Sequence, residues 1–128
     1  MPLRSKDKRS FKRSLRDCLN GLSFVIVNED NFKREIIIAI IVLILSFALK
    51  LSRVEFVIIL LTIGMVLITE VINTAIEKTV DLYTNKYNEI AKIAKDVSAF
   101  AVLLASFFAV IIGINIFGDK ILNILGGI

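Results

Sequence analysis

Histidine is absent from the 128-residue sequence, and Cys18 is the single cysteine. This scarcity excludes a disulfide within the chain, a zinc site built from cysteine and histidine, and a cysteine–histidine catalytic pair. The sequence also contains no Walker A loop, no Gly-x-Gly-x-x-Gly loop and no His-Arg-Asp loop. Any chemistry must therefore come from carboxylates, amides, lysines and hydroxyls, without a known phosphate-binding loop.

Apolar residues dominate the composition. They make up 56% of the chain, and the mean hydropathy is +0.79. A soluble fold of this length keeps much of its surface in water and cannot bury so many apolar side chains. Their clustering in long runs indicates an all-α integral membrane protein, with residues 1–128 forming one membrane domain. No cleaved secretory signal is expected, because the start of the chain lacks its short apolar core.

The first predicted helix covers residues 11–27 and follows a polar, basic tail over residues 1–10. Its apolar positions are Phe11, Leu15, Cys18, Leu22 and Val25. Their spacing forms one stripe, while Lys12, Arg13 and Arg16 fall on the opposite side. A basic amphipathic helix next to membrane spans is expected to lie in the interface, with its apolar face toward the lipid.

Three further helices, each containing one membrane span, are predicted over residues 32–51, 54–82 and 91–117. The polar run 28–31 predicts a turn, in which Asp30 or Asn31 caps the next helix. Glu55 is expected to stabilise a helix N-terminus by its charge. Residues 118–128 are predicted to be a short tail.

The distribution of lysine and arginine predicts the orientation. Nine of the 16 lie between Arg4 and Arg34, two flank the first loop, four lie between the second and third spans, and one follows the third. Because positive charge favours the cytoplasmic side, the N-terminus and the second connection are expected in the cytoplasm of a bacterium, with the chain in its plasma membrane. The basic N-terminal part is expected to meet anionic lipid rather than nucleic acid.

A polar stripe on the second predicted span is the main candidate site. It consists of Glu70, Asn73, Glu77 and Asp81. Steps of three, four and four residues place these side chains within about 80° on one helix face, over roughly 16 Å. Acidic groups at the end of an apolar run need a cation or another partner. Oxygen ligands suit Mg²⁺, which takes one or two carboxylates together with substrate phosphates.

Two further polar clusters are expected on the same side of the membrane, at Ala94–Asp96 and at Asn28–Glu29. Convergence of three clusters at one depth favours a functional site. Simpler interpretations remain open. The stripe is also compatible with the solvated face of a helix that emerges from the membrane. Lys95 is compatible with a residue that only sets the orientation in the membrane, and Glu29 is compatible with a helix cap. Glu35 is either an interfacial ion-pair partner or a member of the site.

The stripe belongs to a longer motif, Glu70-Val-Ile-Asn73-Thr-Ala-Ile-Glu77-Lys-Thr-Val-Asp81. This motif resembles the signature of the prokaryotic diacylglycerol kinase family, E-x-x-N-[ST]-A-I-E-x-x-V-D. Ala94-Lys95-Asp96 with the following 101–104 segment resembles a second family block, and Asn28-Glu29 with Phe32 and Glu35 a third. The similarity extends over about residues 11–117, in the family's order and spacing.

The resemblance implies a phosphotransferase with ATP and Mg²⁺ that acts on a membrane lipid alcohol. Glu70 would be the general base that takes the proton of the lipid hydroxyl. Glu29 and Glu77 would hold the metal ions that bridge the ATP phosphates. Lys95 would contact phosphate oxygens, and Asn73 would position groups around the base.

The remaining family positions imply supporting roles. Asp96 would support nucleotide binding, Asp81 and Glu35 would complete the polar shell, and Arg13 is the candidate for a nucleotide contact from the N-terminal helix. The family also implies a homotrimer, with active sites shared between neighbouring subunits. At Ser98–Phe100 the sequence departs from a stretch that is usually made of small residues alone.

The choice of lipid rests on variants within these blocks. Ile72-Asn-Thr-Ala-Ile-Glu-Lys78 and Ile93-Ala-Lys-Asp96 look like the Gram-positive branch of the family, which is associated with undecaprenol. Undecaprenol kinase is therefore the first expectation and diacylglycerol kinase the alternative. A small oligomeric channel or transporter, with the acidic stripe along its ion path, is the alternative of another class.

Overall fold

The computed structural model describes residues 10–127, and its regular structure is entirely helical. The helices are α1 (Phe11–Asn28), α2 (Asp30–Ala48), α3 (Arg53–Tyr83) and α4 (Glu89–Gly126). The tail predicted over residues 1–10 lies, except for Ser10, outside the described part of the chain. The short connections between the helices place consecutive helices next to one another.

A single residue, Glu29, separates α1 from α2. Its N–H donates to the carbonyl of Val25 at 2.9 Å, which closes α1. The prediction that Asp30 or Asn31 caps α2 is wrong, because Glu29 occupies the cap position and Asp30 is the first residue of the helix. Asp30 instead pairs with Lys33 at 2.8 Å. This ion pair lowers the pKa of Asp30, and its negative charge suits the first turn of a helix.

The connection between α2 and α3 begins earlier than predicted and covers residues 49–52. The second helix was expected to continue to residue 51 but ends at Ala48, because Lys50 adopts a left-handed conformation with φ of 52°. The N–H of Leu51 then donates to the carbonyl of Ser46 at 3.1 Å. Ser52 and Glu55 form a reciprocal capping box at the start of α3, so Glu55 stabilises that terminus by its hydrogen bond as well as its charge.

A tail was predicted over residues 118–128, but residues 118–126 are instead the last part of α4, which continues to Gly126. Residues 121–125 remain mostly apolar, and their apolar side chains are exposed within the single chain. Lys120 also fixes this end of α4 to the start of α3, because its Nζ lies 3.1 Å from Glu55 Oε2. The glycines in this region do not interrupt the helix.

Helices α3 and α4 form an antiparallel pair, and this is the most extensive helix contact of the chain. Residues near the end of α3 meet residues near the start of α4, as the contacts Asp81–Lys95 and Asn73–Ser98 show. Helix α2 packs against α3, and α1 packs against α2. The carboxyl-terminal part of α3 and the amino-terminal part of α4 are therefore fixed side by side, next to the junction of α1 and α2.

Few large apolar side chains are buried within the chain. The buried hydrophobic residues in the described part are Val25, Phe32, Ala39, Ile59, Ala105 and Phe117. The other large apolar side chains of α3 and α4 mostly face outward, and both helices are long and apolar enough to cross a membrane. At 31 and 38 residues, they are longer than a hydrocarbon core of about 30 Å requires. Their polar ends therefore have room to extend beyond it.

Candidate active site

Glu70 occupies the centre of the candidate site. It lies on α3 near the end of the largely apolar segment that starts at Phe56, and the residue is only 3% exposed. The carboxylates of Glu77 and Glu29 are its acidic neighbours, and the side chain of Asn31 interacts with it. The α1–α2 junction and α3 thus bring three glutamates together around one buried position.

A fourth glutamate approaches from α2. Glu35 lies close enough to Glu70 for the two carboxylates to act on each other. Its Oε2 atom is buried and has no hydrogen-bond partner among residues 10–127. Glu35 also lies at the polar end of an apolar groove of about 390 Å³ between α2, α3 and α4, which extends to Phe117. The groove therefore connects the acidic cluster with the apolar depth of the helix assembly.

Hydrogen bonds across the α3–α4 contact fix the next part of the stripe. Asn73 Nδ2 donates to Glu77 Oε1 at 3.3 Å. On the other side, the hydroxyl of Ser98 lies 2.7 Å from Asn73 Oδ1 and 2.9 Å from the carbonyl oxygen of Lys95. Asn73 and Ser98 are both buried. These contacts connect the motif on α3 directly with the Ala94–Asp96 block on α4.

Lys95 lies one turn away and pairs with the last acid of the stripe. Its Nζ lies 2.5 Å from Asp81 Oδ1. Both residues lie outside the apolar parts of their helices, and the ammonium lowers the pKa of Asp81 while the carboxylate raises the pKa of Lys95. Each group therefore stays charged near neutral pH. Since the two side chains are 40% and 52% exposed, water screens much of their attraction.

Glu29 has a cationic partner on α3. The Nζ atom of Lys78 lies 3.6 Å from Glu29 Oε1. The same ammonium lies over the ring of Phe24, 5.8 Å from its centroid, which is within the range of a cation–π interaction. Lys78 therefore connects the end of α1, the α1–α2 junction and α3. It also offsets part of the negative charge of the cluster.

Two of the predicted site residues do not join this cluster within one chain. Asp96 is 60% exposed and pairs with Lys92 in its own helix at 2.5 Å. Arg13 lies in the first turn of α1, about 22 Å along the helix axis from Asn28. The structure brings together the other seven, which are Glu29, Glu35, Glu70, Asn73, Glu77, Asp81 and Lys95.

Three residues of the cluster were missed by sequence reasoning: Asn31, Lys78 and Ser98. Lys78 could have been found, since it is the one basic residue inside the acidic motif. Ser98 was noted only as a departure from a run of small residues. Its partner is 25 positions away in sequence, and no periodicity within a single helix indicates such a contact.

Comparison with known proteins decides among the classes considered. The model of the prokaryotic diacylglycerol kinase family matches residues 16–117, which is most of the chain. The chain belongs to the prokaryotic diacylglycerol kinase family. The predicted class, a membrane lipid kinase with ATP as co-substrate, is thereby confirmed.

Individual relatives of this kinase carry two different names. This chain is 40% identical over 121 residues to the undecaprenol kinase of Bacillus subtilis, and the match covers 91% of this chain and 98% of the relative. It is 39% identical over 101 residues to a diacylglycerol kinase of Synechocystis, covering 78% of this chain and 58% of the relative. The diacylglycerol kinase of Escherichia coli K12 is 32% identical over 91 residues, covering 71% and 75%.

The donor atoms of the cluster suit a magnesium ion only together with a nucleotide. Within residues 10–127, no group of three or more acidic, cysteine or histidine side chains is close enough to hold a metal by itself. Mg²⁺ usually takes one or two carboxylates and completes its shell with water and substrate phosphates. Glu29 and Glu77 flank Glu70 from separate elements and could supply such a partial set.

The Asn73–Ser98 contact is buried and the Asp81–Lys95 ion pair is half-exposed, so their loss should affect the stability of the kinase differently. Asn73→Ala should lower the free energy of unfolding by about 1–3 kcal/mol, because it breaks a buried hydrogen-bond network. Asp81→Asn should lower it by less than about 1 kcal/mol, because its ion pair is half-exposed. Denaturant titration of both variants in detergent micelles measures the difference. Equal losses would contradict the deduced network.

Proposed function

We propose that this kinase transfers the γ-phosphate of ATP to the hydroxyl group of undecaprenol, at the cytoplasmic face of a bacterial plasma membrane. The observation that carries the proposal is the buried carboxylate of Glu70, placed at the end of an apolar helix segment and flanked by Glu29 and Glu77. The choice of lipid is supported by the relative from Bacillus subtilis, which is matched over 98% of its length.

The position of Glu70 suits a general base for a lipid alcohol. The apolar groove beside Glu35 leads toward the cluster, so a lipid tail can remain in an apolar environment while its hydroxyl approaches Glu70. Glu70 takes the hydroxyl proton as the alcohol oxygen bonds to the γ-phosphorus. The bond from that phosphorus to the bridging oxygen breaks, and ADP leaves with the electron pair.

Charge neutralisation is the second requirement of phosphoryl transfer. Magnesium, when bound together with ATP by Glu29 and Glu77, supplies positive charge at the phosphate oxygens. Lys95 is held beside the carboxylate stripe by its ion pair with Asp81, and its ammonium group contributes a further positive charge. Asn73 positions Glu77 through its amide, and Asp81 and Glu35 complete the polar shell.

The membrane arrangement proposed from sequence agrees with the exposure of the side chains. Residues 1–128 form a single membrane domain, with α1 on the cytoplasmic surface and one span in each of α2, α3 and α4. The apolar residues of α1, such as Leu15 and Leu19, are at least half exposed, as an interfacial helix requires. Helix α2 begins with a charged turn, and its apolar part from Ile36 to Ala48 is short, so Lys33, Arg34 and Lys50 would extend to the interfaces.

The active sites are proposed to be shared within a homotrimer. Large outward-facing apolar surfaces on α2, α3 and α4 are available for contacts with lipid and with neighbouring subunits. Arg13 and Asp96 lie away from the acidic cluster of their own chain. Their proposed contacts with nucleotide are therefore assigned to the site of a neighbouring subunit.

Diacylglycerol is the alternative acceptor, favoured by the names of the relatives from Synechocystis and Escherichia coli. The purified protein in lipid, incubated with labelled ATP, Mg²⁺ and a panel of lipid alcohols, separates the two. Faster phosphorylation of undecaprenol than of diacylglycerol supports the proposal, and the reverse order assigns the alternative. Ion flux through protein-containing liposomes without ATP consumption would reject a kinase in favour of a channel.

Substitution of the proposed base tests its role. Glu70→Gln keeps the shape and polarity of the side chain, so the oligomer should form, while turnover should fall by a factor of about 10²–10⁴. Glu55→Gln is the matched control, since Glu55 lies at the opposite end of the same helix. Rates of phosphorylation and the size of the detergent-solubilised protein are measured for both. A wild-type rate for Glu70→Gln would remove Glu70 from the mechanism.

The proposed metal-binding role of Glu77 predicts a change in the magnesium requirement. Glu77→Gln retains an oxygen that can accept the Asn73 hydrogen bond but lacks the negative charge. The Mg²⁺ concentration for half-maximal rate should therefore rise by roughly tenfold. Glu89→Gln, in the first turn of α4, serves as control. The same magnesium titration for wild type and Glu77→Gln would contradict the role.

A further inference from the structure

Ser98 occupies a position that neither the motif nor the mechanism above explains. It lies on α4, one turn after Lys95, and is only 6% exposed. Its hydroxyl faces α3 and contacts Asn73, which is 7% exposed. Within residues 10–127, this side-chain hydrogen bond between α3 and α4 is buried, whereas the bond between Lys95 and Asp81 is exposed.

The partners of Asn73 determine which way its amide faces. Asn73 directs its NH₂ group toward Glu77 Oε1, which accepts at 3.3 Å, and its carbonyl oxygen toward the hydroxyl of Ser98. The carbonyl oxygen of Asn73 then needs a donor, and the hydroxyl of Ser98, at 2.7 Å, is that donor. The reversed amide would place two oxygens, of Asn73 and Glu77, against each other.

The carbonyl oxygen of Lys95 competes for the same hydroxyl proton. It lies 2.9 Å from Ser98 Oγ, slightly farther than Asn73 Oδ1. Since a serine hydroxyl has a single proton, a bond to Lys95 would leave the buried carbonyl of Asn73 without a donor. Because the NH₂ group of Asn73 faces Glu77, the bond from Ser98 to Asn73 is the one that satisfies the buried amide.

We propose that Ser98 is a positioning residue that holds the Asn73 amide in the orientation that directs Glu77 toward magnesium and ATP. The inference rests on the proposed function, because it assigns Glu77 to the bound magnesium–nucleotide complex. Ser98 acts through Asn73 and touches neither the nucleotide nor the lipid. Its hydroxyl thereby connects the lysine block of α4 with the carboxylate stripe of α3.

The test measures binding of Mg²⁺-ATP separately from turnover. Ligand that binds the folded protein raises its unfolding temperature as the ligand concentration rises, which yields the dissociation constant. Wild type is compared with Ser98→Ala, which removes the hydroxyl, and Ser98→Thr, which keeps it. Ser46→Ala is the control, because Ser46 is as deeply buried but donates only to Val42 in its own helix.

Ser98→Ala should raise the dissociation constant for Mg²⁺-ATP by roughly tenfold, while Ser98→Thr and Ser46→Ala stay within about twofold of wild type. In the Glu77→Gln background, Ser98→Ala should cause no further change, because its effect passes through Glu77. Unchanged binding by Ser98→Ala overturns the proposal. So does a loss of folding in Ser98→Ala, which would make the serine structural.

The outcomes also separate this inference from the proposed function. A wild-type protein that binds Mg²⁺-ATP but phosphorylates neither undecaprenol nor diacylglycerol contradicts the function, while the comparison of Ser98 variants still decides the inference. A wild-type protein without Mg²⁺-ATP binding rejects both. A full effect of Ser98→Ala in the Glu77→Gln background rejects only the route through Glu77.

Discussion

The structure depends on one electrostatic constraint, which is that several carboxylates share a small volume at the end of apolar helix segments. Glu70 is buried there, and Glu29, Glu35 and Glu77 are its neighbours. Such a cluster is costly in an apolar environment unless cations and donors surround it. Lys78, Asn31 and Asn73 supply part of that compensation from the protein. The rest is left for a ligand that carries positive charge.

Separate elements contribute the acids, and this arrangement suits a site that receives its metal with the nucleotide. The described residues contain no compact group of three or more acidic, cysteine or histidine side chains that could hold a metal by itself. Glu29 comes from the α1–α2 junction and Glu77 from α3. Phosphate oxygens between them would complete the coordination. In the proposed mechanism, binding of the nucleotide and binding of Mg²⁺ would then be coupled.

The sequence predicted the carboxylate stripe because a helical repeat relates residues of the same helix. Glu70, Asn73 and Glu77 therefore appear on one face before any coordinates are known. The motif identified the family for the same reason, since it is a local pattern. Helix ends were harder to predict. The termination at Ala48 depends on the left-handed conformation of Lys50, and the extension of α4 to Gly126 is stabilised by contact with a distant residue. Contacts between helices, such as Ser98 with Asn73, depend on packing that periodicity does not encode.

The two ion pairs between α3 and α4 have a consequence for motion. Asp81–Lys95 joins the helices at one end, and Glu55–Lys120 joins them at the other, more than 20 positions apart along each helix. Sliding or rotation of α4 along α3 would break both pairs at once. The two pairs therefore define the register of α4 along α3 at both ends of the hairpin. Helices α1 and α2, which meet at the single residue Glu29, contact this hairpin less extensively and therefore have fewer contacts to break in any rearrangement.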